Sequence, residues 1–273
     1  MKLFTIATHD YGYYPALIKS AKRNGFNLIN LAKKSKWKGL LWKFKLMYKN
    51  ISNLDDNEII GFCDGFDVLV VNNANSLKNF FKLLDCDIIF GNENSNNNPL
   101  INFLSYYAFK YQYLLKYDKK PNTGVYVGYV GKIKEFLKIC LKECGNLNDD
   151  QDIGYKIFYY QKKYNLKLRI VNEHIYTIPF SKKFWKIKDY KIVRNIDCDL
   201  NKTFFIHGNG NRNIDIYCKK LKLPLKLNNK IKSNHSHFTH YLTKLINNNR
   251  VFLISSLILL LIIGNKKYLK INF

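Results

Sequence analysis

The run Ile59-Ile60-Gly61-Phe62-Cys63-Asp64-Gly65-Phe66-Asp67-Val68-Leu69-Val70-Val71 sets two apolar stretches on either side of two aspartates three residues apart. A strand that ends in paired carboxylates at a tight turn presents hard oxygen ligands at a sheet edge, where a divalent cation can bridge them to a diphosphate. The plainer alternative is a β-turn whose aspartates bond their own backbone, because Asp-Gly is a common turn dipeptide. Taken alone, the pair favours the turn.

Further segments, in order along the chain, supply what a sugar-nucleotide site would need. Asn122-Thr123-Gly124-Val125-Tyr126-Val127-Gly128-Tyr129-Val130 reads as a polar turn entering a strand, with a helix following over Lys132 to Cys144. Asp149-Asp150-Gln151-Asp152 opens another helix. Phe204-Phe205-Ile206-His207-Gly208-Asn209-Gly210 is a strand that delivers a histidine into a glycine-rich turn.

Together these segments resemble the glycosyltransferase domain of the procollagen lysyl hydroxylase and collagen glucosyltransferase family. Asp64-Gly65-Phe66-Asp67 resembles the family's D-x-x-D motif, and Asn122 to Tyr129 resembles its N-S-G-x-x-x-G-Y strand. Asp149-Asp150-Gln151 resembles its D-D-Q segment, and His207 to Gly210 its H-G-N-G turn. Thr5-Ile6-Ala7-Thr8 and the stretch from Trp37-Lys38-Gly39 to Lys43 resemble its first strand and following loop. The match runs from Leu3 to Leu223. Each motif is short, but their shared order over that length is specific.

The resemblance implies a GT-A-like, Rossmann-type α/β fold with a mainly parallel central sheet and flanking helices. It also implies transfer of glucose or galactose from a UDP-sugar to hydroxylysine or galactosyl-hydroxylysine of a collagen-like protein. Breaking the bond between the sugar and UDP leaves a diphosphate with growing negative charge, which a bound metal neutralises. Asp64, Asp67 and His207 are the expected ligands, and mixed oxygen and imidazole ligation suits Mn²⁺ better than calcium or magnesium. A turn histidine bonded to backbone is the competing role for His207.

Asp149 and Asp150 are the expected catalytic acids, able to accept the acceptor's proton or to stabilise an oxocarbenium-like centre. Capping a helix N-terminus is the ordinary role of such residues, and one of the two is expected to have it. For the donor, the expected contacts are Thr5, Thr8, Trp37, Lys43, Asp64, Asn122, Thr123, Gly124 and Gly208, with Lys43 paired to the diphosphate. The competing role for Lys43 is a solvated helix surface. Leu40-Leu41-Trp42 stands where the family has a glycine-rich run.

Composition bounds these readings. At 273 residues, 47% hydrophobic and 15% aromatic, the chain suits one globular α/β domain over 1–225 and a basic extension over 226–273. The six cysteines include no C-x-x-C pair, so buried free thiols are expected rather than a zinc or redox site. Net charge is +25, from 45 basic against 20 acidic residues, which raises nucleic acid as a partner. The lysines are nevertheless spread through every segment among asparagines, isoleucines and tyrosines, as AT-rich codon choice produces. No basic stripe, RNP-like strand or zinc-finger spacing accompanies them. Nucleic acid therefore ranks below a catalytically inactive sugar-nucleotide or glycan-binding module, which is itself second to the enzyme.

Strands are expected at Leu3 to Thr8, Asn27 to Leu31, Cys86 to Phe90 and Lys167 to Val171. Helices are expected through Tyr14, Leu17, Ile18 and Ala21, through Leu40, Leu41, Phe44, Met47, Tyr48 and Ile51, and through Leu77, Phe80, Phe81 and Leu84. A further helix is expected over Phe103 to Leu115, and Gly91 to Pro99 reads as surface loop. His235, His237 and His240 read as surface residues. Val251 to Ile263 is almost continuously apolar, but at about 13 residues it falls short of the ~20 that span a bilayer. It is read as a tail helix docking on membrane or on the body, with a tail anchor as the rival. The start at Met1 moves straight into a strand, which is too short for a signal segment. The expected location is cytoplasmic, or membrane-associated through the tail.

Overall fold

The computed structural model describes residues 1–93, 120–145, 149–178, 195–210 and 212–227. The helix expected at Phe103 to Leu115, the three histidines from His235 to His240 and the apolar tail at Val251 to Ile263 lie outside the described residues, as does most of the Gly91 to Pro99 loop.

The chain begins with β1 (Lys2–Ile6), α1 (Tyr14–Arg23), β2 (Asn27–Asn30) and α2 (Leu41–Ile51). β3 (Ile59–Asp64), β4 (Val68–Val70), α3 (Ala74–Lys82) and β5 (Ile88–Asn92) follow. After these come β6 (Pro121–Tyr129), α4 (Val130–Glu143) and α5 (Asp150–Tyr159). The last described elements are β7 (Leu168–Ile170), β8 (Ile175–Thr177), β9 (Phe205–His207) and α6 (Asp215–Lys220).

A six-stranded sheet runs in the order β2-β1-β3-β6-β5-β7. β1 is parallel to β2 and β3, β7 is parallel to β5, and β6 alone runs antiparallel, between β3 and β5. The sheet is therefore mainly parallel, and the C-terminal ends of β1, β3 and β5 share one edge with the start of β6. In open α/β sheets that edge is where ligands bind.

Side chains alternate across a pleated strand, and here the alternation divides the core in two. Leu3, Ile59, Cys63, Ile89, Val125 and Val127 pack against Leu17 and Ala21 of α1 and Leu77 and Phe81 of α3. Their neighbours Phe4, Ile60, Phe62, Ile88, Phe90 and Tyr126 face Phe44 and Met47 of α2, Phe136 and Leu137 of α4, and Ile153 and Ile157 of α5. Helices thus cover both faces, as a parallel sheet requires.

Several expectations need correction. The two apolar stretches around the aspartates, read as broken by a turn, do form separate strands, but in different sheets: β3 belongs to the large sheet, whereas β4 pairs antiparallel with β9 in a sheet ordered β4-β9-β8. Ile18 and Tyr48 fall off the buried stripes of α1 and α2 and stand exposed. Gly91 and Asn92, expected in a loop, extend β5 because they pair with Asn122 and Pro121. β8 and α6 were not anticipated. Every cysteine is a free thiol, and Cys144 and Cys198 are only half-buried. Among the described residues no helix is long and apolar enough to cross a membrane.

Candidate metal and donor site

Asp64 is the last residue of β3 and stands beside Ile6 in the β1 ladder. Asp67 lies just before β4, whose first residue Val68 pairs with His207 of β9. That antiparallel register carries a side chain from 140 residues downstream to the acidic turn, and the Gly208 amide completes it by donating to the Asp67 carbonyl at 2.7 Å. One ligand atom from each of Asp64, Asp67 and His207 falls within 4.8 Å of the others.

His207 is 1% exposed, and among the described residues neither of its ring nitrogens has a hydrogen-bond partner. Nε2 lies 3.4 Å from Asp67 Oδ1 and 3.9 Å from Asp64 Oδ2, within ion-pair reach but without bonding geometry. Burial favours the neutral ring, yet Asp67, Asp64 and Glu93 outweigh it, and the His207 pKa is raised. A buried, unbonded imidazole costs about 1–3 kcal/mol. A cation shared with two carboxylates supplies the missing partner, so the residues present fit a divalent metal.

Gly124 of β6 forms the floor of this cluster. A Cβ there would sit 2.7 Å from Asp64 Oδ2 and closer still to His207 Cε1, so only glycine leaves room for both ligands. Its amide donates to Asn122 Oδ1 at 2.9 Å.

Lys43, buried in α2, joins the Asp64–Asp67–His207 cluster to α5. Its Nζ lies 2.9 Å from Asp64 Oδ1 and 2.8 Å from Asp150 Oδ2. Burial works against the Lys43 charge, but Asp150 and then Asp64 overcome it, and the pKa is raised. For Asp64 burial dominates and raises the pKa despite the opposing pull of Lys43. The lysine is therefore not a solvated helix-surface residue.

The two acids at the start of α5 divide their work. Asp149 is the N-cap, its carboxylate accepting from the Gln151 amide at 2.9 Å. Asp150 turns inward, 4% exposed, and accepts from the Thr123 hydroxyl at 2.9 Å as well as from Lys43. From sequence the two read alike. Only the phase of the helix separates them.

The remaining expected donor residues are less central. Thr5 is fully buried and its hydroxyl bonds the Cys63 carbonyl at 2.8 Å, tying β1 to β3. Thr8 bonds His9 at 2.7 Å in the loop after β1, and the His9 ring centroid is 5.2 Å from that of Phe66 in the acidic turn. Trp37 stands 44% exposed on its loop, edge-on to Trp42, the residue before Lys43.

Glu93 escaped the sequence reading, and Asn209 entered it only as part of the His207 to Gly210 turn, with no role of its own. Glu93, 8% exposed, accepts from both the Asn122 and Asn209 amides, the latter at 2.8 and 2.7 Å. Burial raises its pKa, with the Asn122 bond opposing. The available signal was an acid three residues beyond the apolar run Ile88-Ile89-Phe90, just past the end of β5.

The family model of the PLOD GT domain matches residues 1–222, and the chain belongs to that family of glycosyltransferase domains. Its fold is α/β, a mainly parallel sheet with helices on both faces and an acidic turn at the strand ends. A procollagen-lysine,2-oxoglutarate 5-dioxygenase of Drosophila melanogaster is 25% identical over 245 residues, covering 79% of this chain. The chain spans only 31% of that relative's length. Among solved structures, the apo WbbM bifunctional glycosyltransferase matches 78% of this chain and 46% of its own, with TM-score 0.44 and 13% identity. Apo mouse xyloside xylosyltransferase 1 matches 63% of this chain and 64% of its own, with TM-score 0.39 and 12% identity.

Proposed function

We propose that the chain transfers a hexose, glucose or galactose, from a UDP-sugar to a hydroxyl acceptor, with Mn²⁺ as the cation held by Asp64, Asp67 and His207. The observation that carries this reading is the meeting of that triad with the Lys43–Asp150 pair at the ligand-binding edge of the sheet. The Drosophila relative is named for acting on procollagen lysine, which supports hydroxylysine or galactosyl-hydroxylysine of a collagen-like protein as acceptor.

When bound, the cation would act as a Lewis acid on the two phosphates and neutralise the charge that grows on the departing diphosphate. Lys43 adds a second positive charge at the same edge while fixing Asp150. Asp150, held by Lys43 and Thr123, takes the acceptor's proton or stabilises positive charge at the anomeric carbon. Asp149 contributes by capping α5 and so setting where Asp150 stands. Asn122, Thr123 and Gly124 shape the sugar side.

An assay across UDP-glucose, UDP-galactose and UDP-N-acetylhexosamines, with manganese present or chelated, tests donor, metal and catalysis together. Turnover of one hexose donor that stops on chelation is the expected result. Binding of UDP-sugar with no transfer or hydrolysis would instead leave a binding module.

A further inference from the structure

The ladder between β5 and β6 breaks at the site. Phe90 pairs with Tyr126, but the next residue, Gly91, pairs with Asn122, so Thr123, Gly124 and Val125 have no partner on β5. On the other side of β6, pairing with β3 ends at Val125. Thr123 and Gly124 therefore form a bulge outside both ladders, although Gly124 is the residue that meets Asp64 and His207. Bulges of this kind re-aim side chains next to active sites, and something must hold this one.

The Gln151 side chain does so. Its Oε1 accepts from the Thr123 amide at 3.0 Å, and its Nε2 donates to the Pro121 carbonyl. The N–H of residue 123 and the C=O of residue 121 flank Asn122 on one edge of the strand, which is how a neighbouring strand's peptide would be received. A side-chain amide from α5 thus stands in for a missing strand. The Thr123 hydroxyl lies 3.1 Å from the same Oε1 and 2.9 Å from Asp150 Oδ2. One turn further on, a Cβ on Gly154 would strike Thr123 Cγ2, so the glycine lets α5 approach this closely.

We infer that Gln151 is a positioning residue for glycosyl transfer: by replacing a strand partner at the Thr123–Gly124 bulge, it sets Gly124 against the metal ligands and Asp150 against Thr123. This rests on the proposed function, and Gln151 acts through its neighbours rather than on substrate. A misplacement of about 1 Å at reacting groups can cost ~100-fold in rate. Loss of an outer partner of a metal site costs about 10–100-fold in affinity.

The test compares Gln151→Met with Gln161→Met. Gln161 makes the same kind of bond, accepting from the Leu168 amide at 2.6 Å, but at the far edge strand β7. Thermal midpoint, Mn²⁺ affinity by calorimetry without nucleotide, and kcat and KM for the preferred UDP-hexose are measured on each. For Gln151→Met the expected result is Mn²⁺ affinity weakened about tenfold, kcat down on the order of a hundredfold and donor KM within about threefold. Gln161→Met should lower the thermal midpoint similarly with both site readouts unchanged. Amide exchange at Thr123 should accelerate only in the Gln151 variant. Unchanged manganese affinity and kcat in Gln151→Met, or equal losses in Gln161→Met, would overturn the inference and leave a plain structural tie. Should Gln151→Met not fold, Gln151→Glu keeps the acceptor for Thr123 and loses the donor to Pro121, and the same comparisons apply. Because manganese affinity is read without donor, failure of the wild-type chain to turn over UDP-sugars would sink the transferase reading separately.

Discussion

Lys43 and Asp150 meet at 2.8 Å with side chains 7% and 6% exposed, one from α2 and the other from the first turn of α5. Through Lys43 the contact joins Asp64, at the end of β3, to the start of α5. Lys43→Met leaves Asp150 buried without its cation, and breaking such a pair costs about 3–5 kcal/mol. Adding Asp150→Asn should restore part of that stability in urea unfolding, while both variants lose transfer activity. Additive single losses would show that the two side chains do not couple.

His207→Ala should abolish metal-dependent activity and leave the fold intact. Among the described residues the imidazole has no hydrogen-bond partner, and β9 is held by backbone pairing with β4 and β8. Losing a ligand should exceed the ~10–100-fold penalty for losing an outer partner. Calorimetry with Mn²⁺ checks this, and wild-type affinity in the variant would refute the ligand assignment.

Gly124→Ala alters no ligand yet should weaken Mn²⁺ binding, because its methyl group would occupy space between Asp64 and His207. The glycine's φ is not positive, so its backbone accepts alanine without strain. A fall in metal affinity is expected together with a lower thermal midpoint, because the methyl must also displace the buried His207 ring, an overpacking cost of about 1–3 kcal/mol. An unchanged titration would show that the floor gives way.

His174 should make the fold sensitive to acid. Its ring stacks on Phe80 at 3.9 Å, and burial lowers its pKa below the ordinary 6.5. The unfolded chain therefore takes up the proton first, and stability falls as pH drops from about 6.5 toward the folded value. His174→Phe keeps the stack without the titration. The gap between variant and wild-type unfolding midpoints should widen on acidification from pH 7, and a constant gap would disprove the account.

Much of the large sheet was legible because its strands, buried on both faces, read as near-continuous apolar runs, as in Leu3 to Ile6 and Ile59 to Cys63. Asp64, Asp67 and His207 were legible as motifs. β8 was not, since a strand of three residues has no period to detect and exists only through pairing with β9. Ile18 and Tyr48 were misplaced because helical spacing defines a stripe but not its width. Glu93 sat in a polar stretch without a motif, and its partners come from 29 and 116 residues away. The bulge that needs Gln151 depends on register between β5 and β6, which single-strand patterns do not encode.

The acidic turn crosses from one sheet to another: Asp64 closes β3, whereas Asp67 and His207 are fixed by the β4–β9 ladder. A cation gripped by all three would therefore act as a rivet through the seam between separately hydrogen-bonded layers. Whatever free energy its binding releases becomes cohesion between them, about 2.7 kcal/mol at a concentration one hundred times Kd. Stripping it would slacken the small sheet before the large one, and amide exchange along Val68–Val70 and Phe205–His207 would serve as the gauge of how tightly the ion is held.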